Sequence, residues 1–160
     1  MGAAFPVGPD SDQGGQAEQD RYNNIMQTQQ IQSLIRKAVS ARRQAYAPYS
    51  KFSVGAALLT STGRIFSGCN VENASYGMTL CAERAAVAAA VSAGYQQFKA
   101  IVIVGGRRTP PYPCGACLQV LAEFCRPDCL IILAAGARPA AIQTCRLKDL
   151  LPKTFKLTRK

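Results

Sequence analysis

Two short segments, Thr79-Leu80-Cys81-Ala82-Glu83-Arg84 and Pro113-Cys114-Gly115-Ala116-Cys117, place the strongest constraint on how this chain can fold. Together they carry three thiols and one carboxylate. Cys114 and Cys117 form a C-x-x-C, a spacing at which two thiolates grip one metal from a turn entering a helix, and Cys81 stands at a separate helix start. A fold that uses all three must bring two helix starts together. Three protein ligands leave one tetrahedral position open, and an open zinc site holds water whose pKa the metal lowers to about 7. Glu83, two residues past Cys81 on the incipient helix, cannot point as Cys81 does. It reads as a general acid/base beside the metal, not as a ligand.

The chain contains no histidine. His-ligated zinc, a His general base and every Ser-His or Cys-His hydrolase are therefore excluded. Zinc held by three thiolates carries a net charge of minus one, which opposes ionisation of its water. Two features offset this. Both ligand segments open helices, where N–H groups and the positive end of the dipole stabilise thiolate, and Arg84 can donate charge-assisted hydrogen bonds to ligand sulfurs.

With 160 residues, 48% of them hydrophobic, one compact domain is expected. No apolar run approaches the roughly 18 residues of a membrane span, and no basic-then-apolar leader opens the sequence, so a cytoplasmic protein is expected. Seven cysteines then read as reduced thiols. Cys69, Cys125, Cys129 and Cys145 are expected to be buried small hydrophobes, with Cys125 or Cys129 an alternative fourth ligand in a closed structural site. Residues 25–160 hold 18 bases against five acids. The bases are scattered singly or in pairs without interleaved aromatics, which reads as a solvated surface and makes nucleic acid an unlikely partner.

Residues 1–27, rich in Gly, Gln, Asp and Asn, are expected to be a disordered tail ahead of a domain spanning 28–160. From Thr28, Ile31, Leu34, Ile35, Ala38 and Val39 recur at helical spacing, with Ala45 and Tyr46 extending the stripe to Pro48. Phe52–Leu59 reads as a strand covered on both faces, Ser61-Thr62-Gly63 as a hairpin turn, and 64–70 as its partner. A helix over 80–94, a strand over 98–104, a helix through 117–125 and a strand over 129–134 follow. Residues 138–146 add an edge strand and 147–151 a short helix. The sum is an α/β fold: a mixed five-stranded sheet with helices on both faces.

A three-cysteine ligand set with a non-ligand Glu ahead of P-C-x-x-C is a recognised signature of zinc deaminases. With it, the runs Phe52-Ser53-Val54-Gly55-Ala56-Ala57 and Gly68-Cys69-Asn70-Val71-Glu72-Asn73-Ala74-Ser75-Tyr76-Gly77 make the chain resemble the small cytidine deaminases of the three-cysteine type, over roughly residues 29–155. The resemblance implies a three-layer α/β/α fold and one zinc per chain on Cys81, Cys114 and Cys117. It implies hydrolytic deamination of cytidine and 2′-deoxycytidine in pyrimidine salvage, with Glu83 as the catalytic acid/base and Arg84 bonded to ligand sulfurs. Asn70 and Glu72 then hydrogen-bond the ribose 3′-hydroxyl, the Ala82 N–H donates to the base O2, and Phe52 and Tyr76 contact the substrate. In a homotetramer, Phe155 reaches a neighbouring subunit's cytosine ring opposite Phe52. One departure is Leu118, where the family commonly has arginine.

On residue types alone, an amide and a carboxylate suit a sugar hydroxyl, but Asn70 and Asn73 suit a turn equally. A thioredoxin-like redox pair needs neither Cys81 nor Glu83. A structural zinc in a nucleic-acid-binding module fits the basic charge and leaves the poised acid unexplained. Among deaminases, a cytosine nucleoside antibiotic of the blasticidin S type is the second substrate. Polynucleotide editing comes third, because a short chain without tryptophan offers little surface for stacking bases.

Overall fold

The computed structural model describes residues 28–136 and 142–157. The expected disordered tail and its boundary with the domain lie outside them, as do residues 138–141 of the expected edge strand. The chain divides into two compact units, Met1–Gln32 and Ser33–Lys160, and of the first only the opening of one helix is described.

Helix α1 (Thr28–Arg42) precedes a hairpin of β1 (Gly55–Thr60) and β2 (Ile65–Cys69). A single 3-10 turn (Tyr76–Met78) leads to α2 (Ala82–Ser92), β3 (Phe98–Gly105), α3 (Gly115–Phe124), β4 (Cys125–Ala135), β5 (Ile142–Arg146) and α4 (Leu147–Leu150). The strands form one sheet in the order β2-β1-β3-β4-β5. Only β3 and β4, joined through α3, run parallel; the other pairs are antiparallel. This is the expected mixed five-stranded sheet.

Every residue of β1 is buried, as a strand covered on both faces must be. One face belongs to α2, α3 and α4, whose Ala86, Val87, Leu118, Leu121 and Leu147 pack in one cluster with Ala56, Leu58, Ile101, Ile103, Ile131 and Leu133. On the other face lies α1, which buries Leu34, Ile35 and Ala38. Two glycines set how close the helices come. A β-carbon on Gly55 would meet the Ala38 carbonyl oxygen of α1, and one on Gly68 would lie 2.5 Å from the Ala86 nitrogen of α2. The alanine repeat Ala82, Ala86, Ala90, all 0% exposed, is the matching small-residue face. Helix α2 ends as its sequence requires: Gly94 takes φ 88° and donates to Val91 O, and Tyr95 N–H donates to Ala90 O.

Several boundaries differ from expectation. Helix α1 stops at Arg42, whose Nε and a terminal nitrogen donate to Ser53 O and Gly106 O, each at 2.9 Å. Tyr46 leaves the helical stripe and pairs with Val71 instead. Residues 52–54 are not strand but part of a strap, residues 49–54, ahead of β1. Strand β4 begins at Cys125, not 129, because Cys125 pairs with Phe98 before the register breaks and resumes at Ala100↔Leu130. Of the four other cysteines only Cys129 is fully buried, while Cys69, Cys125 and Cys145 are half-buried. Leu118 is 7% exposed and belongs to the core, so it offers no surface contact in this chain.

Candidate active site

Helices α2 and α3 begin alike. Their caps, Cys81 and Cys114, have extended backbones (φ −72°, ψ 153° and φ −72°, ψ 164°), and their carbonyls accept the first helical bonds from Ala85 and Leu118. Neither thiol meets the geometry of a capping hydrogen bond, although the Ala116 and Cys117 N–H groups lie toward Cys114 Sγ and favour its thiolate. With Cys117 one turn into α3 the two thiols converge, and the three Sγ atoms lie within 4.8 Å of one another. Among the described residues this is the one such cluster, so Cys125 and Cys129 do not close a four-cysteine site. The cluster is graded in exposure, with Cys117 buried, Cys81 half-buried and Cys114 open to solvent.

These donors fit zinc. Sulfurs at about 2.3 Å from a tetrahedral zinc lie roughly 3.8 Å apart, so the three thiols need to draw in by only about 1 Å. Without a metal, burial pushes the Cys117 and Cys81 thiols up. Burial also raises Cys114, but bonds from the Cys117 N–H, the Cys117 and Cys81 thiols and the Ala116 N–H outweigh it, and its net shift is downward. A half-buried guanidinium adjoins the sulfurs. Arg84 donates to Thr79 O at 2.6 Å and to Cys81 Sγ at 4.0 Å, and the Cys81 contact is the main reason its pKa is raised. Its Nε is buried with no partner, a cost that makes sense where the neighbouring sulfurs carry negative charge.

Glu83 lies in the first turn of α2, only 5% exposed. Burial raises its carboxyl pKa, against lowering by its own N–H, the Cys117 thiol and Arg84. A carboxyl that holds its proton more tightly, in contact with the triad, is placed to exchange that proton with whatever the thiols hold. Ala82, fully buried at the first position of α2, has an N–H with no intrahelical acceptor.

The segment 70–72 borders this cluster. Val71 and Leu80 exchange both backbone hydrogen bonds, at 2.9 and 3.0 Å, immediately before Cys81. Asn70 and Glu72 are both buried, and both hold the strap ahead of β1. Asn70 Nδ2 donates to Phe52 O at 2.9 Å, and its Oδ1 accepts Val54 N–H at 2.8 Å. Glu72 Oε2 accepts the N–H groups of Tyr49 and Ser50 at 2.9 and 3.2 Å, and its Oε1 accepts the Ser50 hydroxyl. That hydroxyl is the main cause of a lowered Glu72 pKa; burial opposes it, and the Tyr49 and Ser50 N–H groups and Lys51 add to the lowering. Phe52 and Tyr76 are exposed. Phe155, 69% exposed, is tied only by its backbone, whose C=O and N–H bond the Gln119 amide at 2.9 and 3.3 Å.

Sequence reasoning missed Ser50 and Tyr49, which lie 22 and 23 residues from the carboxylate they hold, with no local spacing to signal it. It also missed Thr79, whose carbonyl anchors Arg84.

A sequence profile of the cytidine and deoxycytidylate deaminase zinc-binding region matches residues 28–133. A cytidine deaminase of Sporosarcina psychrophila is 47% identical over 125 residues, covering 78% of this chain and 90% of its own length. The crystal structure of cytidine deaminase from Burkholderia pseudomallei superposes with a TM-score of 0.74 at 46% identity, covering 81% of this chain and all of its own. A blasticidin-S deaminase of Bacillus cereus is more remote, 30% identical over 66% of this chain and 79% of its own.

Proposed function

The chain belongs to the cytidine and deoxycytidylate deaminase family, and from that premise we propose that it hydrolyses cytidine and 2′-deoxycytidine to uridine, or 2′-deoxyuridine, and ammonia. Cys81, Cys114 and Cys117 hold one zinc ion. The observation that carries the reading is Glu83, a buried carboxyl in the first turn of the helix whose cap is one of three converged thiols. A redox C-x-x-C or a closed structural zinc has no use for it.

Zinc bound at the triad supplies a water acidic enough to ionise near neutral pH. Glu83 would take one proton from that water and deliver it to N3 of cytosine as the water oxygen bonds to C4, then carry the second proton, from the new C4 hydroxyl, to the amine as the C4–N bond breaks and ammonia leaves. Its raised pKa suits a group that must both accept and surrender a proton in each turnover. Arg84 and the two helix starts balance the negative charge of the thiolates. The Ala82 N–H donates to the base O2, while Phe52 and Tyr76 provide apolar surface for the ring. Asn70 and Glu72 receive the ribose 3′-hydroxyl.

The active unit in this reading is a homotetramer with shared sites. Phe155 and Leu157 are 69% and 80% exposed in their own chain, an arrangement that suits insertion into a neighbour. Truncation after Pro152 should then raise KM for cytidine while leaving zinc content unchanged. The compartment is the cytosol, in keeping with seven free cysteines, three of them needed as thiolates. No helix among the described residues is long and apolar enough to cross a membrane.

The test is a substrate panel on zinc-loaded protein, following ammonia release from cytidine, 2′-deoxycytidine and blasticidin S. Turnover of the two nucleosides is the expected result. Turnover of the antibiotic alone would overturn the assignment.

A further inference from the structure

Glu72 is not free to turn. Two of its roughly four acceptor sites take the N–H groups of Tyr49 and Ser50 on Oε2, and a third, on Oε1, takes the Ser50 hydroxyl. The same hydroxyl accepts Phe52 N–H at 3.0 Å. Between Ser50 and Phe52, Lys51 stands at φ 57°, in the left-handed region that side chains with a β-carbon disfavour. Such a turn persists only where its surroundings hold it. The far end of the strap is closed by Asn70, bonded to Phe52 O and Val54 N–H. One hydroxyl therefore links the carboxylate assigned to the sugar with the aromatic assigned to the base.

We propose that Ser50 is the positioning residue of the sugar subsite: its hydroxyl leaves Glu72 Oε1 a single acceptor site for a substrate hydroxyl and couples that orientation to Phe52. The proposal rests on the reading that Glu72 receives the ribose 3′-hydroxyl. An ionised carboxylate with one open site accepts one hydroxyl from one direction and offers nothing to a sugar that lacks it. Loss of the Ser50 Oγ frees Oε1 to accept from other directions and removes the partner of Phe52 N–H. The two backbone bonds to Oε2 remain, so the carboxylate stays in place with its aim relaxed.

The experiment compares Ser50→Ala, Ser50→Thr and Ser50→Cys, all zinc-loaded, on cytidine and on 3′-deoxycytidine. Ser50→Ala should lower kcat/KM for cytidine about 10- to 100-fold, the size of a lost hydrogen bond to a charged group, chiefly through KM. On 3′-deoxycytidine the loss should be clearly smaller than on cytidine, because only the part exerted through the Phe52 N–H remains. Ser50→Thr, which keeps the hydroxyl, should restore cytidine turnover. Ser50→Cys, close in shape with a weaker donor, should fall between and serves if Ser50→Ala does not fold. In a Glu72→Ala background, Ser50→Ala should add nothing to KM. Equal losses on the two substrates, or a lower Tm with KM unchanged, would mean that Ser50 only stabilises a turn. If wild-type protein turns over neither nucleoside, the deaminase reading falls and this proposal with it; if wild type is active and Ser50→Ala keeps its KM, the positioning role alone falls.

Discussion

Gly68 lies on β2 beneath the first turns of α2, and alanine there should damage catalysis more than it damages the fold. A β-carbon at this position would stand 2.5 Å from the Ala86 nitrogen, 2.7 Å from Ala85 Cβ and 2.8 Å from the Ala85 carbonyl carbon. Comfortable contact begins at about 3.5 Å, so the helix and sheet must separate by roughly 1 Å. Two of the three contacts are backbone, and no side-chain rotation relieves them. Overpacking of this kind costs about 1–3 kcal/mol. In a domain of this size that corresponds to a Tm lower by roughly 3 to 15 °C, leaving the protein folded at 25 °C. Ala85 is adjacent to Arg84 and two residues from Glu83, so the turn carrying the proposed acid/base moves with the clash. A misplacement of about 1 Å can cost on the order of a hundredfold in rate. Thermal unfolding, zinc content and initial rates on cytidine, measured on one preparation, give the three readouts. Gly115→Ala is the stability control, because nothing lies within 4 Å of a β-carbon there, and it should hold or raise Tm. A Gly68→Ala protein with wild-type Tm and kcat would mean that α2 does not seat on β2 as described. A lower Tm with unchanged kcat would mean that the turn carrying Glu83 is not coupled to the sheet.

Glu83→Gln should retain zinc and lose kcat by about a hundredfold or more, as for a removed general acid/base; near-normal rates in a zinc-loaded variant would rule out its role. Arg84→Ala should weaken zinc retention about 10- to 100-fold, the usual size of an outer-shell loss, and a chelator titration matching wild type would make the guanidinium a bystander. For Glu72 the sign follows from a folded pKa held below the ordinary glutamate value, chiefly by the Ser50 hydroxyl. Its contribution to stability is complete above the unfolded pKa and is lost as pH falls through the depressed folded value. Urea midpoints followed down through that window should fall more steeply for wild type than for Glu72→Gln, and parallel curves would contradict the lowered pKa.

The convergence of the three thiols beside a buried Glu83 was legible in the sequence because those groups lie in two short segments. Cys114 and Cys117 are separated by one helical turn, Glu83 follows Cys81 by two residues, and both groups stand at helix starts. The element order could be read too, since continuous apolar runs mark β1 and β3, which are buried at nearly every residue, and small apolar residues mark the buried face of α2. What stayed hidden was set by partners far along the chain. Helix α1 ends at Arg42, whose side chain bonds carbonyls on two other segments; past it Arg43, Gln44 and Ala45 donate to carbonyls three residues back, and Tyr46 leaves the helical stripe to pair with Val71. Cys125 begins a strand because Phe98 offers it a partner across a break in register. Asn70 and Glu72 announced polar capacity by residue type. That both spend it holding the Phe52 strap follows only from the approach of residues 49–54.

If the thiol triad and Glu83 form one zinc-dependent deaminase centre, turnover must follow bound metal. The most direct measurement titrates apoprotein, prepared with a chelator under reducing conditions, with zinc while cytidine turnover and bound metal are followed together. Activity should rise linearly from zero and stop at about one zinc per chain. Turnover that survives removal of the metal, or full zinc occupancy with no turnover of cytidine, would mean that the triad and Glu83 do not form such a centre.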